Sequence, residues 1–167
     1  MAIRRDLGSF TSLRNASPSV IKQAVAALST KLPRHMRQKI KVTDTACICD
    51  KLAIRGSRIL ERESIAHTLI IAKGLRETRL LKNGCAYHPE NSSKEAMSEF
   101  LKDMKHTVIV IDDTVLDFTI RQFIPDAEYP HVAKVDKFRR QWRKIVEIRP
   151  SRKLRKVVDS TWENLSN

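Results

Sequence analysis

The sequence predicts an α+β fold, with N-terminal helices packed on a small antiparallel sheet. Three stretches carry that expectation. From His106 to Phe123, apolar β-branched residues lie on both sides of Asp112-Asp113, the pattern of two antiparallel strands closed by a tight turn. Cys49, Leu52, Ala53, Gly56, Ile59 and Leu60 fall at offsets 0, 3, 4, 7, 10 and 11, which is one apolar stripe along a helix. Ile65 to Ala72 is a nearly continuous apolar run, as a buried strand requires.

Taken in order, Ser17-Pro18 opens a first helix, because Ser caps well and Pro is favoured at the first helical position. Ile21, Ala24, Val25 and Leu28 give it an apolar side that ends before Pro33. Residues 34–41 form a basic link in which His35 reads as a surface residue. Asp44 or Thr45 caps the second helix, which runs to about Glu63, and Lys73-Gly74 stops the strand that follows. Residues 75–91 read as a loop or short hairpin. Cys85 and His88 in that loop are spaced like metal ligands, but no second pair at zinc-site spacing accompanies them, so no metal site is expected. Ser92-Ser-Lys-Glu95 is a capping-box pattern for a third helix whose stripe is Met97, Phe100, Leu101 and Met104. After the hairpin, 124–130 is a turn-rich crossing. Asp136 to Glu147 reads as a basic helix with Phe138, Trp142 and Ile145 on its apolar side, and the residues beyond Pro150 as a charged, frayed tail.

The hairpin has a chemical consequence. With Asp112 and Asp113 as the two loop residues, Ile111 faces Thr114, Val108 faces Asp117 and His106 faces Thr119, so His106 and Asp117 share one face in diagonal positions. An imidazole with a carboxylate partner is two thirds of a catalytic triad. A nucleophile is available upstream, since Cys49 sits in the first turn of the second helix, where the helix dipole favours thiolate. Cys47, two residues earlier, is the alternative nucleophile. His67, at the entry of a strand and without a carboxylate at matching geometry, is the weaker candidate base.

The 167 residues suit one domain with a proper core. No apolar run approaches a membrane span, and the first residues lead into no signal-peptide core. The expectation is a soluble protein in the cytoplasm, or one delivered into another cell without a cleaved signal. Three cysteines do not resemble a disulfide framework. The net charge of +13 is unevenly spread: residues 1–41 carry nine Lys/Arg against one acid and residues 134–156 eleven against two, while 42–133 has twelve against fourteen. The chain thus divides into a basic N-terminal helical arm (1–41), a core (42–133) and a basic C-terminal helix and tail (134–167), all in one compact domain. Such arms suit a polyanion or an acidic partner, although a charge run also serves as a plain solvated face.

Cys49-Asp-Lys-Leu52-Ala53 at a helix start, the strand Ile65 to Gly74, His106 opening one strand and Asp117-Phe-Thr119-Ile-Arg-Gln122-Phe123 in the next resemble the papain-like, transglutaminase-like cysteine enzymes. The resemblance is to the compact bacterial amidase, deamidase and peptidase domains of that group, over roughly residues 44–130. The chain departs from the family in Ala46-Cys47-Ile48-Cys49-Asp50 and in Phe118, where a Pro is common. The resemblance implies a papain-like core in which Cys49 attacks an amide or ester carbonyl, His106 acts as base and then acid, and Asp117 orients the imidazole. It implies no cofactor. The backbone N–H of Cys49 would meet the oxyanion, and Gln122 matches the family pattern in a supporting or oxyanion role. Peptide cleavage, deamidation and acyl transfer remain equally open, because one triad serves all three.

A binding module is the other expectation, with the papain-like core non-catalytic. Phe138 and Trp142 among Arg139, Arg140, Arg143 and Lys144 would combine stacking with phosphate contact, for a nucleic acid or an acidic protein.

Overall fold

The computed structural model describes residues 17–32, 48–76, 93–120, 128 and 130–166. In chain order these form α1 (Pro18–Lys31), α2 (Cys49–Arg62), β1 (Thr68–Leu75), α3 (Lys94–Asp103), β2 (Lys105–Ile111), β3 (Thr114–Asp117), β4 (His131–Lys134), α4 (Val135–Gln141), β5 (Trp142–Ile148) and α5 (Leu154–Ser166). The fold is α+β. Its strands make a five-stranded antiparallel sheet in the order β4-β3-β2-β1-β5.

Strand alternation sorts the core into two clusters. Leu69 and Ile71 of β1, Ile109 and Ile111 of β2 and Leu116 of β3 pack with the apolar stripes of α1, α2 and α5. Ile70, Ala72, Val108, Val110 and Val115 point the other way, against Leu101 of α3, Phe138 of α4 and Trp142. Helices therefore cover both faces of the sheet. On the α2 face the approach is close at Gly56, where a Cβ would stand 2.6 Å from Ile109 Cδ1 and 3.2 Å from Leu28 Cδ2.

The helix ends follow local chemistry. Ser93, one residue later than the capping-box reading placed the cap, accepts a hydrogen bond from the Ala96 N–H at 3.1 Å. At the end of α2, Ser64 adopts φ 56°, and the N–H groups of Ser64 and Ile65 return to the carbonyls of Glu61 and Leu60 at 3.1 and 2.9 Å. This is a Schellman closure with serine where glycine is usual. His67 then ties the turn down: Nδ1–H donates to the Ile65 carbonyl at 2.8 Å, and Nε2 accepts from the Ser57 hydroxyl at 2.7 Å.

Four expectations need correction. Gly74 does not stop β1; its φ of 74° lets the strand continue to Leu75, with its N–H on the Met104 carbonyl at 2.9 Å. The basic helix expected over 136–147 ends at Gln141. Its second half is β5, because Ile145, Val146 and Ile148 are β-branched and complete the hydrogen bonding of β1 in register from Leu69↔Ile148 to Leu75↔Trp142. The residues expected to fray form α5, whose Leu154, Val158, Trp162 and Leu165 recur at helical spacing and pack into the core. The C-terminal part is thus integral to the sheet and its covering rather than an arm. Finally, Cys49 is disulfide-bonded, so the cysteines are not all free thiols. No helix among the described residues is long and apolar enough to cross a membrane. The N-terminal link at 34–41 with His35, the expected caps Asp44 and Thr45, and residues 77–92, including Cys85 and His88, lie outside the described residues.

Candidate functional site

The β2–β3 turn has two loop residues, with Asp112 in the left-handed region at φ 50° and partners Ile111↔Thr114, Val110↔Val115 and Ile109↔Leu116. That register puts His106 and Asp117 on one face. Their side chains meet: the His106 Nε2–H donates to Asp117 Oδ2 at 2.6 Å, with the two residues 1% and 2% exposed. Asp117 Oδ1 accepts from the Thr119 N–H at 2.8 Å and from its hydroxyl at 3.2 Å. Burial alone raises the Asp117 carboxyl. It is outweighed by the attraction and hydrogen bond of His106 and by the two Thr119 donors, which together hold the carboxyl below its ordinary value. The imidazole stacks on Trp142, with centroids 5.8 Å apart and planes 24° from parallel, and lies 6.2 Å from the Phe138 ring. A cavity of about 160 Å³ adjoins the pair, lined among others by Met104, His131, Lys137 and Trp142.

Cys49 is not part of this arrangement. His106 and Thr107 are successive on β2 and point to opposite faces of the sheet. Cys49 lies on the α2 face, fully buried, in a small space shared with Thr107, Leu116 and Phe118. Its neighbour Asp50 fixes this placement: Asp50 Oδ1 accepts from the Thr107 hydroxyl, and Oδ2 accepts from Trp162 Nε1 at 3.0 Å, which ties the head of α2 to β2 and α5. The disulfide also removes the thiol that a nucleophile needs. The expected triad is thereby corrected to a His–Asp pair with the sulfur on the other side of the sheet. Cys47 and Gln122 lie outside the described residues.

The expected polyanion set is also dispersed. Arg139 and Arg140 are on α4, and Arg143 and Lys144, on β5, project to opposite faces of the strand. Arg139 pairs with Glu147 at 2.6 Å, and Lys144 Nζ donates to the Leu165 carbonyl at 3.3 Å. Phe138 and Trp142 are buried in the core against His106 and offer no platform for a base.

A different basic surface is assembled on the outer side of α2. Lys51, Arg55, Arg58 and Arg62 form one exposed row. With Lys31 at the end of α1 and Arg155 at the start of α5 they line an open cleft of about 790 Å³, whose other described lining residues are Ile54 and Ile59. Only Lys31 of these six has an ion-pair partner among the described residues, on Glu63. Elsewhere Lys73, Lys102, Lys134 and Arg139 each have an acid, whereas Lys137, Arg140, Arg143, Arg149, Arg152, Lys153 and Lys156 have no ion pair among the described residues, so what distinguishes the row is its alignment along one helix beside a cleft. The sequence signal for this surface is the basic spacing of four, three and four along 51–62, the complement of the apolar stripe on the same helix. Among the described residues no group of three metal-ligating side chains gathers.

No family model matches the chain, and neither a curated protein nor a solved structure matches it.

Proposed function

We propose that the chain is a polyanion-binding module whose binding surface is the cleft over α2, with nucleic acid as its partner. The supporting observation is the row Lys51, Arg55, Arg58 and Arg62, exposed beside Arg155 with no acid partner among the described residues. Like charges held in a row repel one another, and a surface that leaves them unneutralised lowers its energy when a polyanion supplies the counter-charge and releases bound ions. Three of the four residues in the row are arginines, whose planar fork matches two phosphate oxygens at once. Fluorescence anisotropy with a labelled nucleic acid tests the reading. Binding at low salt that weakens steeply as salt rises is the expected result, and no binding at low salt sinks it.

Thiol hydrolysis of the papain-like kind is the second reading, favoured by the buried His106–Asp117 pair. It requires a sulfur on the α3 side of the sheet, supplied by Cys47 or by Cys49 after reduction and movement of the head of α2. A thiol-reactive probe applied with and without reductant separates the two. Rapid labelling near neutral pH that is lost in His106→Ala supports this reading, and labelling at the rate of an ordinary thiol ends it.

A further inference from the structure

We infer that the partner of the cleft is double-stranded nucleic acid, held through its phosphate backbone without reading of its sequence. This rests on the polyanion reading above and names its partner. From Lys51 to Arg62 the row runs eleven residues along a helix, about 16 Å, which is the axial length of roughly five base pairs. The charges recur about once per helical turn on a rigid rod packed into the core through Leu52, Ala53, Ile59 and Leu60. A fixed linear array of this kind fits a stiff polyanion that brings its charges already ordered. Arg155 from α5 and Lys31 from α1 add charge from elements beside the row, so the array is a trough and not a single line.

The chemistry of the lining decides between duplex and single strand. Binding of single strands draws about 1–3 kcal/mol per base from stacking on aromatic rings. The described lining of the cleft holds six cations and two isoleucines, with no aromatic residue. Trp162 of α5 is committed elsewhere, with its indole N–H on Asp50 and its ring 5.2 Å from Lys105 Nζ. Nor does the described lining contain an Asn or Gln to read a base edge. Among the described lining residues the recognition chemistry is charge on charge, which a duplex satisfies with its higher phosphate density and its bases paired inside. Lys31 is held by Glu63, which leaves Lys51, Arg55, Arg58, Arg62 and Arg155 for phosphates.

The test is anisotropy with the full chain, on two unrelated duplexes of about 20 base pairs and a single strand of about 40 nucleotides, which equalises phosphate number. Five contacts at about 0.9 each give a log–log salt slope of about −4.5, so affinity falls about 500-fold between 50 and 200 mM salt. The two duplexes are expected to bind within about twofold of each other and the single strand at least about tenfold more weakly. Arg55→Gln/Arg58→Gln/Arg62→Gln is expected to bring the slope to about −2. Arg139→Gln/Arg140→Gln/Arg143→Gln, with the same change in charge, is expected to leave it within about one of its starting value. Circular dichroism of both variants verifies the fold. A single strand that binds as tightly as duplex, or a preference of about tenfold between the two duplexes, overturns the duplex inference while leaving polyanion binding standing. Equal loss in both variants overturns the assignment to the cleft. No binding of any probe at about 50 mM salt overturns both proposals.

Discussion

The sheet separates two concentrations of charge that are built in opposite ways. On the α3 side, His106 and Asp117 are buried, bonded to each other at 2.6 Å and walled by Trp142 and Phe138. On the α2 side, five cations stand in solvent with no acid partner among the described residues. A buried pair has a large cost of disruption, because removing one member strands the other in a poor solvent for charge. An exposed row contributes little to stability, and its energy is realised with a partner that arrives. The contrast gives the first region the larger share in stability and leaves the second as the proposed binding surface.

The largest effect should therefore come from Asp117→Ala. Urea unfolding is expected to show a loss of about 3–5 kcal/mol, since the substitution strands a buried imidazole and the Thr119 donors. A loss below about 1 kcal/mol would mean that the pair does not anchor the fold. Asp50→Ala should come next, at about 1–3 kcal/mol, because Thr107 and Trp162 lose their shared acceptor. An unchanged urea midpoint would break the claim that Asp50 fastens α2 to the sheet.

Acid sharpens the same comparison. The Asp117 carboxyl is held below the ordinary 3.8 in the folded chain, so its stabilisation is fully present above that value and is lost as pH falls through the folded value. Asp117→Asn should flatten the acid limb of the stability curve below about pH 3.8, whereas Arg58→Gln, on the other side of the sheet, should leave that limb unchanged. The smallest effect is a gain: Ser64→Gly relieves a left-handed residue at the end of α2 and should raise stability by about 0.5–1 kcal/mol. A loss of stability in that variant would show that the serine makes a contact worth more than its strain.

Much of this architecture is legible in the residues. The two-residue turn at Asp112-Asp113 and the β-branched runs beside it are enough to place His106 against Asp117, because strand alternation is local and strict. The apolar stripes of α1 and α2 are equally local. The side of the sheet on which Cys49 lies is a different kind of quantity. It follows from packing α2 through Gly56 onto Ile109 and from the bonds of Asp50 to Thr107 and Trp162, partners 57 and 112 residues away. Residues 142–148 show the same limit. Their basic and apolar pattern admits a helix, and only the unsatisfied edge of β1 makes them a strand. The basic row of α2 was readable from spacing alone, and charge counted over long segments hides it, because acids elsewhere in 42–133 cancel the total.

The most direct test of the central claim is an NMR titration of the isotopically labelled chain with a short duplex. Backbone amide shifts are expected along the outer side of α2 around Lys51, Arg55, Arg58 and Arg62 and at the start of α5 near Arg155, with His106, Asp117 and their surroundings unmoved. Shifts concentrated instead at the His106–Asp117 pair or on α4 and β5 would contradict it.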